Sequence, residues 1–249
     1  MGLGNSGATV ARVSVVVMEK RGGRTDLGRQ ADLAHRLGDH VCPRIYTRAS
    51  DHYLMEELVP NLAPARETIQ AIYDLLHTKV WRRPAFDALY TNWTLDCATW
   101  FREHAPWIDE GLFWRLYHHG GMMPTSLIHG DPTLANAMRR SSGELCLIDP
   151  EPCRPGVPPL VEVDVGKMLQ SVAGWEGVKS RGVPSPVTMG DTYPWDAAHP
   201  QQRARYYFWG AFHCARVARH VTPETPHGEE ILRWSRRASS AYAQEMLSC

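Results

Sequence analysis

The sequence predicts an α+β fold with two lobes, a reduced β lobe over residues 1–60 and a larger helical lobe over residues 61–249. Strand-like apolar runs are confined to the small lobe, apart from one hairpin near residue 140. After Ala63, apolar residues recur mostly at helical spacing. A chain of 249 residues with 43% hydrophobic content is long enough to bury the core that this fold requires.

The individual elements follow from the same patterns in chain order. In the small lobe we expect a helix and three strands: Asp26–Leu37, Val13–Met18, Val41–Tyr46 and His52–Glu56. In the large lobe we expect five helices: Ala63–Trp81, Ala85–Arg102, Leu112–His119, Gln201–His220 and Glu229–Leu247. The segment Ser171–Pro200 is rich in Gly and Pro, has little periodicity and is expected to be an irregular loop.

The hairpin carries the most informative residues of the chain. It consists of a strand over Asn136–Arg140, a turn at residues 141–143 and a returning strand over Glu144–Ile148. If Arg140 opposes Glu144, then Asn136 lies opposite Ile148, next to Asp149. The open end of the hairpin therefore gathers Asp131, Asn136 and Asp149. An amide oxygen and two carboxylates suit magnesium, which prefers oxygen ligands.

This set of groups suits phosphoryl transfer, which needs a carboxylate near the attacking hydroxyl and side chains that hold metal against nucleotide phosphates. The segments HGDPTLAN (129–136) and LIDPEP (147–152) resemble the catalytic loop and the metal-binding segment of the aminoglycoside phosphotransferase and choline kinase family. The resemblance implies a protein-kinase-like fold and an enzyme that moves the γ-phosphate of ATP to a hydroxyl of a small molecule. It also implies that Asp131 is catalytic and that Asn136 and Asp149 hold Mg²⁺.

The resemblance implies supporting roles for two further residues of the large lobe. His129 matches the histidine that braces the catalytic loop. Asp164, which follows a Pro-rich loop, matches an aspartate on the next helix and is expected to bond back to the catalytic loop.

The nucleotide is expected to bind against the small lobe. The Gly-rich start of the chain, with Gly4, Ser6 and Gly7, suits backbone contacts to phosphates. Kinase-like folds place a phosphate-contacting lysine on the strand that follows such a loop, which assigns Lys20. The helix that should supply an acidic partner for this lysine has Gln30 at the matching position. Three alternatives remain: the register is wrong, Gln30 is a neutral partner of Lys20, or the small lobe is catalytically weakened.

The hinge and the acceptor site follow from the same resemblance. The segment formed by Glu56, Glu57 and Leu58 is expected to link the lobes, with backbone groups that contact adenine. For the acceptor site, the segment 171–200 offers three acids as contacts for a cationic substrate: Glu176, Asp191 and Asp196.

Composition excludes other classes of partner. The chain has 27 Lys+Arg and 27 Asp+Glu, so its net charge gives no reason to expect nucleic acid or an anionic membrane surface as a partner. No apolar run is long enough to span a membrane. The six cysteines are scattered, which favours free thiols and a cytoplasmic location. The alternative to an enzyme is a kinase-like nucleotide-binding or scaffolding protein without catalysis. The identity of the acceptor and the oligomeric state stay open.

Overall fold

The computed structural model describes residues 9–12, 17–21, 27–49, 52–83, 90–91, 105–108, 111, 123–151, 159–189, 192–222 and 224–249. Its first part is an antiparallel sheet with the strand order β1-β2-β4-β3. The strands are β1 (Thr9–Arg12), β2 (Val17–Arg21), β3 (Ile45–Arg48) and β4 (His52–Glu56). Since β2 lies between β1 and β4, its residues are held by strand pairing on both sides.

One strand prediction in this lobe was wrong in position. Of the strand expected over Val13–Met18, Val17 and Met18 lie in β2, and residues 13–16 lie outside the described residues. The strand expected over Val41–Tyr46 begins at Ile45, because Val41 and Cys42 form a turn whose N–H groups both donate to the carbonyl of Gly38.

Helix α1 (Leu27–Leu37) confirms the helix expected over Asp26–Leu37. Leu27 and Ala31 pack against Tyr53 and Met55 of β4, so the helix covers one face of the sheet. The end of α1 packs elsewhere, because Leu37 belongs to the main core of the helical lobe. Residues of the small lobe are thus anchored in the large one.

The predicted hairpin lies in a second antiparallel sheet with the order β5-β8-β9. Strand β5 is Leu58–Pro60, and β6 (Tyr90–Thr91) and β7 (Met123–Pro124) form a separate pair. Strands β8 (Ala137–Arg140) and β9 (Leu145–Leu147) pair in the predicted register, with Ala137 opposite Leu147. At Tyr90–Thr91 the predicted helix over Ala85–Arg102 was wrong, since aromatic and β-branched residues favour the strand found there. Most of that helix, and the one over Leu112–His119, lie outside the described residues.

Five helices build the described part of the large lobe: α2 (Ala65–Lys79), α3 (Val161–Val172), α4 (Trp175–Arg181), α5 (Pro200–Val217) and α6 (Gly228–Ser248). Helix α3 is buried along almost its whole length, with α5 packed against it and α6 against α5. The prediction of a loop over Ser171–Pro200 was wrong at its start, where α3 ends and α4 forms. A helix of two turns is too short to show a clear period. No helix among the described residues is both long and apolar enough to cross a membrane.

Candidate active site

Lys20 lies at the centre of the first sheet and contacts the hairpin of the second. It faces Val10 of β1 and Tyr53 of β4, and it is only 1% exposed. Its ammonium group forms a buried ion pair with the carboxylate of Asp149. A buried lysine is tolerated only where such partners are present. The predicted phosphate-contacting lysine and the predicted metal-binding aspartate are therefore in direct contact.

Gln30 is the second partner of Lys20. The Nζ atom of Lys20 donates to Oε1 of Gln30 over 2.8 Å, and the hydroxyl of Tyr53 lies 3.4 Å from the same oxygen. Of the three alternatives left open by the sequence, the structure supports the second, in which glutamine is a neutral partner of the lysine. The positive charge of Lys20 is thus balanced by Asp149 rather than by α1.

Asn136 and Asp149 come together at the open end of the hairpin. The N–H of Ile148 donates to the carbonyl of Asn136 over 2.9 Å, which confirms the predicted pairing of these two residues. Asp149 has a backbone φ of 58°, a left-handed conformation that few non-glycine residues adopt. Such backbone outliers cluster at functional sites.

Asp131 is hydrogen-bonded to Asn136 at the open end of the hairpin. The Nδ2 atom of Asn136 donates to Oδ2 of Asp131 over 2.9 Å and to the carbonyl of Asp131 over 2.8 Å. This orientation leaves the amide oxygen of Asn136 as the atom that can hold a cation. With the carboxylate of Asp149, it gives a donor set of two oxygen-bearing side chains that fits Mg²⁺, which usually takes phosphates and water for the rest of its shell. No cluster of three or more His, Cys, Asp or Glu suited to a metal occurs in the described part of the chain.

Lys167 is a member of this site that the sequence interpretation missed. Its Nζ atom lies 2.9 Å from Oδ1 of Asp131. Burial alone would raise the pKa of Asp131, but the nearby Lys167 ammonium, together with His129 and Arg216, holds that pKa below its usual value. The available signal was the spacing Asp164-Val-Gly-Lys167, which puts both charged residues on one face of a helix.

Asp164 accepts hydrogen bonds from the backbone of the predicted catalytic loop, as expected from the sequence. Its Oδ1 atom accepts from the N–H of Gly130 over 2.7 Å, and its Oδ2 atom accepts from the N–H of His129 and the indole of Trp81, each over 2.9 Å. Burial raises the pKa of Asp164 to about 6, although these three hydrogen bonds act in the opposite direction. One buried carboxylate thereby fixes two consecutive residues of the loop.

The predicted catalytic loop also depends on the glycine that precedes Asp131. Gly130 has a φ of 84°, and a Cβ atom there would overlap the carbonyl of Glu151. Only glycine can adopt this positive φ without strain and also leave room for the carbonyl of Glu151. Its neighbour His129 is fully buried, and burial lowers its pKa to about 4, so the ring is neutral at physiological pH. A neutral, enclosed imidazole suits the predicted bracing role.

The predicted acceptor acids have other tasks or lie outside the described residues. Glu176 accepts from the hydroxyl of Ser171 over 2.6 Å, and this hydroxyl in turn accepts from the N–H of Leu134 over 3.2 Å. Asp196 accepts from the N–H of Tyr193 over 2.6 Å and so closes a local turn. Asp191 lies outside the described residues. In the structure Glu176 therefore supports the catalytic loop rather than presenting a free carboxylate to a substrate.

The predicted hinge connects the two sheets. Glu56 ends β4 and Leu58 begins β5, with Glu57 between them. The carboxylate of Glu56 binds the guanidinium of Arg140, which also donates to the carbonyls of Asp39 and Cys42. This cluster ties the small lobe to the hairpin. The predicted phosphate loop residues Gly4, Ser6 and Gly7 lie outside the described residues.

The predicted fold class is confirmed: the chain has an α+β, protein-kinase-like fold. It is similar to a choline kinase from Streptococcus pneumoniae, with 13% identity and a TM-score of 0.55 over 97% of this chain and 92% of that one. It is similar to an ethanolamine kinase from Plasmodium vivax, with 12% identity and a TM-score of 0.52 over 97% and 82% of the two chains.

A choline kinase from Cryptosporidium parvum has 7% identity and a TM-score of 0.50, over 97% of this chain and 89% of that one. At these identities the likeness establishes the fold. No protein-family model and no curated protein sequence matches the chain. The predicted relation to aminoglycoside phosphotransferases therefore stays a prediction.

Proposed function

We propose that the protein is a small-molecule kinase, which transfers the γ-phosphate of ATP to a hydroxyl group with the help of Mg²⁺. The observation that carries this proposal is the meeting of four groups from separate parts of the chain. Lys20 contacts Asp149, Asn136 pairs with the residue before Asp149, and the amide of Asn136 contacts Asp131. These are the groups that phosphoryl transfer requires, and they meet between the first sheet and the open end of the hairpin.

Each residue has one task in this proposal. Asp131 accepts the hydrogen bond of the acceptor hydroxyl and orients its oxygen toward the γ-phosphorus atom. Lys20 donates to phosphate oxygens with a donor that Gln30 and Asp149 leave unused. The amide oxygen of Asn136 and the carboxylate of Asp149 hold Mg²⁺, which neutralises charge on the phosphates when bound. The backbone of Glu56–Leu58 contacts adenine at the hinge, and the residues of the N-terminal glycine loop cover the phosphates.

The second candidate is a nucleotide-binding or scaffolding protein without catalysis, which the replacement of the expected glutamate by Gln30 first suggested. The hydrogen bond from Lys20 to Gln30 weakens that argument, since the neutral partner keeps the lysine at the site. The buried free thiols of Cys42, Cys146 and Cys214 support a reducing, cytoplasmic location for the reaction. The neighbours named as choline and ethanolamine kinases make amino alcohols the first acceptors to try.

The test combines nucleotide binding with turnover. We expect ATP and Mg²⁺ together to raise the melting temperature of the protein, and Asp149→Ala to remove this rise because it removes a metal ligand. Asp131→Asn should keep the rise, yet lower transfer to the acceptor by about 10²–10⁴-fold. Acceptors to be tried are choline, ethanolamine, amino sugars and nucleosides, with ³²P-labelled ATP as donor.

The control is Asp74→Asn, at an exposed position of α2 where the carboxylate contacts Gln70, and it should change neither quantity. Undiminished transfer by Asp131→Asn would refute the assignment of Asp131. A folded protein whose melting temperature does not respond to ATP and Mg²⁺ would favour the scaffolding alternative.

A further inference from the structure

Lys167 contacts the proposed catalytic aspartate directly, and the proposed function does not yet use it. Its ammonium nitrogen lies 2.9 Å from Oδ1 of Asp131, and the two side chains are only 9% and 12% exposed. The next contact of the ammonium is long, 3.4 Å to Oε1 of Gln170. An ammonium group at this depth is costly unless it is paired, so Asp131 is the partner that keeps Lys167 in place.

The helix that carries Lys167 cannot easily shift. At Gly166, a Cβ atom would lie 2.6 Å from the carbonyl carbon of Trp209, so α3 and α5 touch through their backbones at this point. On the side of the catalytic loop, Asp164 accepts from the backbone of His129 and Gly130. Lys167 follows Asp164 by three positions and therefore shares its helix face. One rigid helix thus holds both the backbone and the catalytic side chain of the loop.

The two oxygens of the Asp131 carboxylate have different partners. Oδ1 pairs with Lys167, and Oδ2 accepts from Nδ2 of Asn136 over 2.9 Å. Because each oxygen is held from its own side, the carboxylate cannot rotate without losing one contact. Each oxygen retains a further lone pair that can accept a hydrogen bond from a substrate hydroxyl. Each of the two carboxylates is paired with its own lysine, Asp131 with Lys167 and Asp149 with Lys20.

We propose that Lys167 is a positioning residue for phosphoryl transfer, which fixes the Asp131 carboxylate in the orientation that receives the acceptor hydroxyl. This inference rests on the proposed kinase function. A merely structural role would be to neutralise a buried acid, and its loss would lower stability without a specific effect on turnover. Positioning instead predicts a loss in kcat that depends on the presence of Asp131, because Lys167 acts through that residue.

The experiment is a double-mutant cycle on kcat with Asp131→Asn and Lys167→Met, with ³²P-labelled ATP and the acceptor found in the panel above. We expect Lys167→Met to lower kcat by about 10–100-fold, with KM for ATP changed by less than about threefold. In the Asp131→Asn background, the same change should lower kcat by less than about twofold. Lys167→Arg keeps the charge and should fall between wild type and Lys167→Met, about fivefold below wild type.

The matched control is Lys79→Met, at an exposed position in the last turn of α2. It should leave kcat within about twofold of wild type. A folded Lys167→Met variant with unchanged kcat would overturn the proposal, as would a further tenfold loss in the Asp131→Asn background. If Lys167→Met does not fold, Lys167→Arg decides, and an unchanged kcat in that variant overturns the proposal. A wild-type protein that transfers no phosphate refutes the proposed function itself, which is a separate outcome.

Discussion

Replacing Asp164 by alanine tests whether one buried carboxylate holds the catalytic loop. The change removes the acceptor of three donors, which are the buried N–H of His129, the buried indole of Trp81 and the part-buried N–H of Gly130. A buried donor without a partner costs roughly 1–3 kcal/mol, so about 2 kcal/mol for each donor gives a loss of about 6 kcal/mol. These donors belong to the residues beside Asp131, so the loss should also disturb the site.

Part of this loss is offset, because the carboxylate is itself costly to bury. Burial raises the pKa of Asp164 from 3.8 to about 6, and a shift of this size corresponds to about 3 kcal/mol at neutral pH. Asp164→Ala should therefore lower the free energy of unfolding by about 3 kcal/mol. Asp164→Asn keeps an oxygen for the two donors at Oδ2 and also removes the charge. That variant should stay within about 1 kcal/mol of wild type.

Urea unfolding followed by tryptophan fluorescence at neutral pH measures both variants. The control is Asp74→Ala, since Asp74 is exposed and accepts one hydrogen bond, from Gln70 over 3.0 Å. It should change the free energy of unfolding by less than about 0.5 kcal/mol. A loss of less than about 1 kcal/mol in Asp164→Ala would show that Asp164 does not hold the loop.

Two further predictions concern acid stability and the connection between the lobes. Burial lowers the pKa of His129 to about 4, so the imidazole takes up a proton at a higher pH in the unfolded chain than in the folded one. The free energy of unfolding should therefore fall by about 3 kcal/mol as the pH falls from about 6.5 to 4. The urea midpoint should fall less steeply with decreasing pH in His129→Gln than in wild type, whereas His35→Gln, at an exposed position, should keep the wild-type dependence on pH. The same dependence in wild type and both variants would contradict the role of His129 in acid stability. Arg140→Ala removes the partner of Glu56 and of two carbonyl groups, and should lower the free energy of unfolding by about 2 kcal/mol and raise KM for ATP about threefold or more. Arg66→Ala at an exposed position of α2 is the control, and an equal effect there would refute a specific connection through Arg140.

The hairpin was predictable because its register has few alternatives. A short turn at residues 141–143 fixes which residues face each other, and each further pair follows by counting. The buried face of α1 was predictable for a similar reason, since four apolar residues at helical spacing leave a single face for the core. In both cases the decisive information lies within a few consecutive residues.

The errors concern short elements and tertiary contacts. Helix α4 has 7 residues and β6 has 2, lengths at which no period can be recognised. The hydrogen-bond chain from Glu176 through Ser171 to Leu134 was not predicted, because these partners belong to different elements. An acidic residue close to an active site in sequence can contact a substrate or can support the backbone of the site. Only the positions of its neighbours in the structure distinguish these two roles.

The contact between Lys167 and Asp131 is the clearest example of an interaction that the sequence pattern did not predict. An amphipathic helix reveals its orientation through its polar face, but α3 is buried almost all round and has no such face. Its rotation is fixed instead by the close approach of Gly166 to Trp209, a contact between distant parts of the chain. Only this rotation decides that Asp164 and Lys167 point at the catalytic loop. A charged residue on a fully buried helix needs a partner, but the pattern of polar and apolar residues does not identify that partner. The partners of such residues can therefore be found only in the structure.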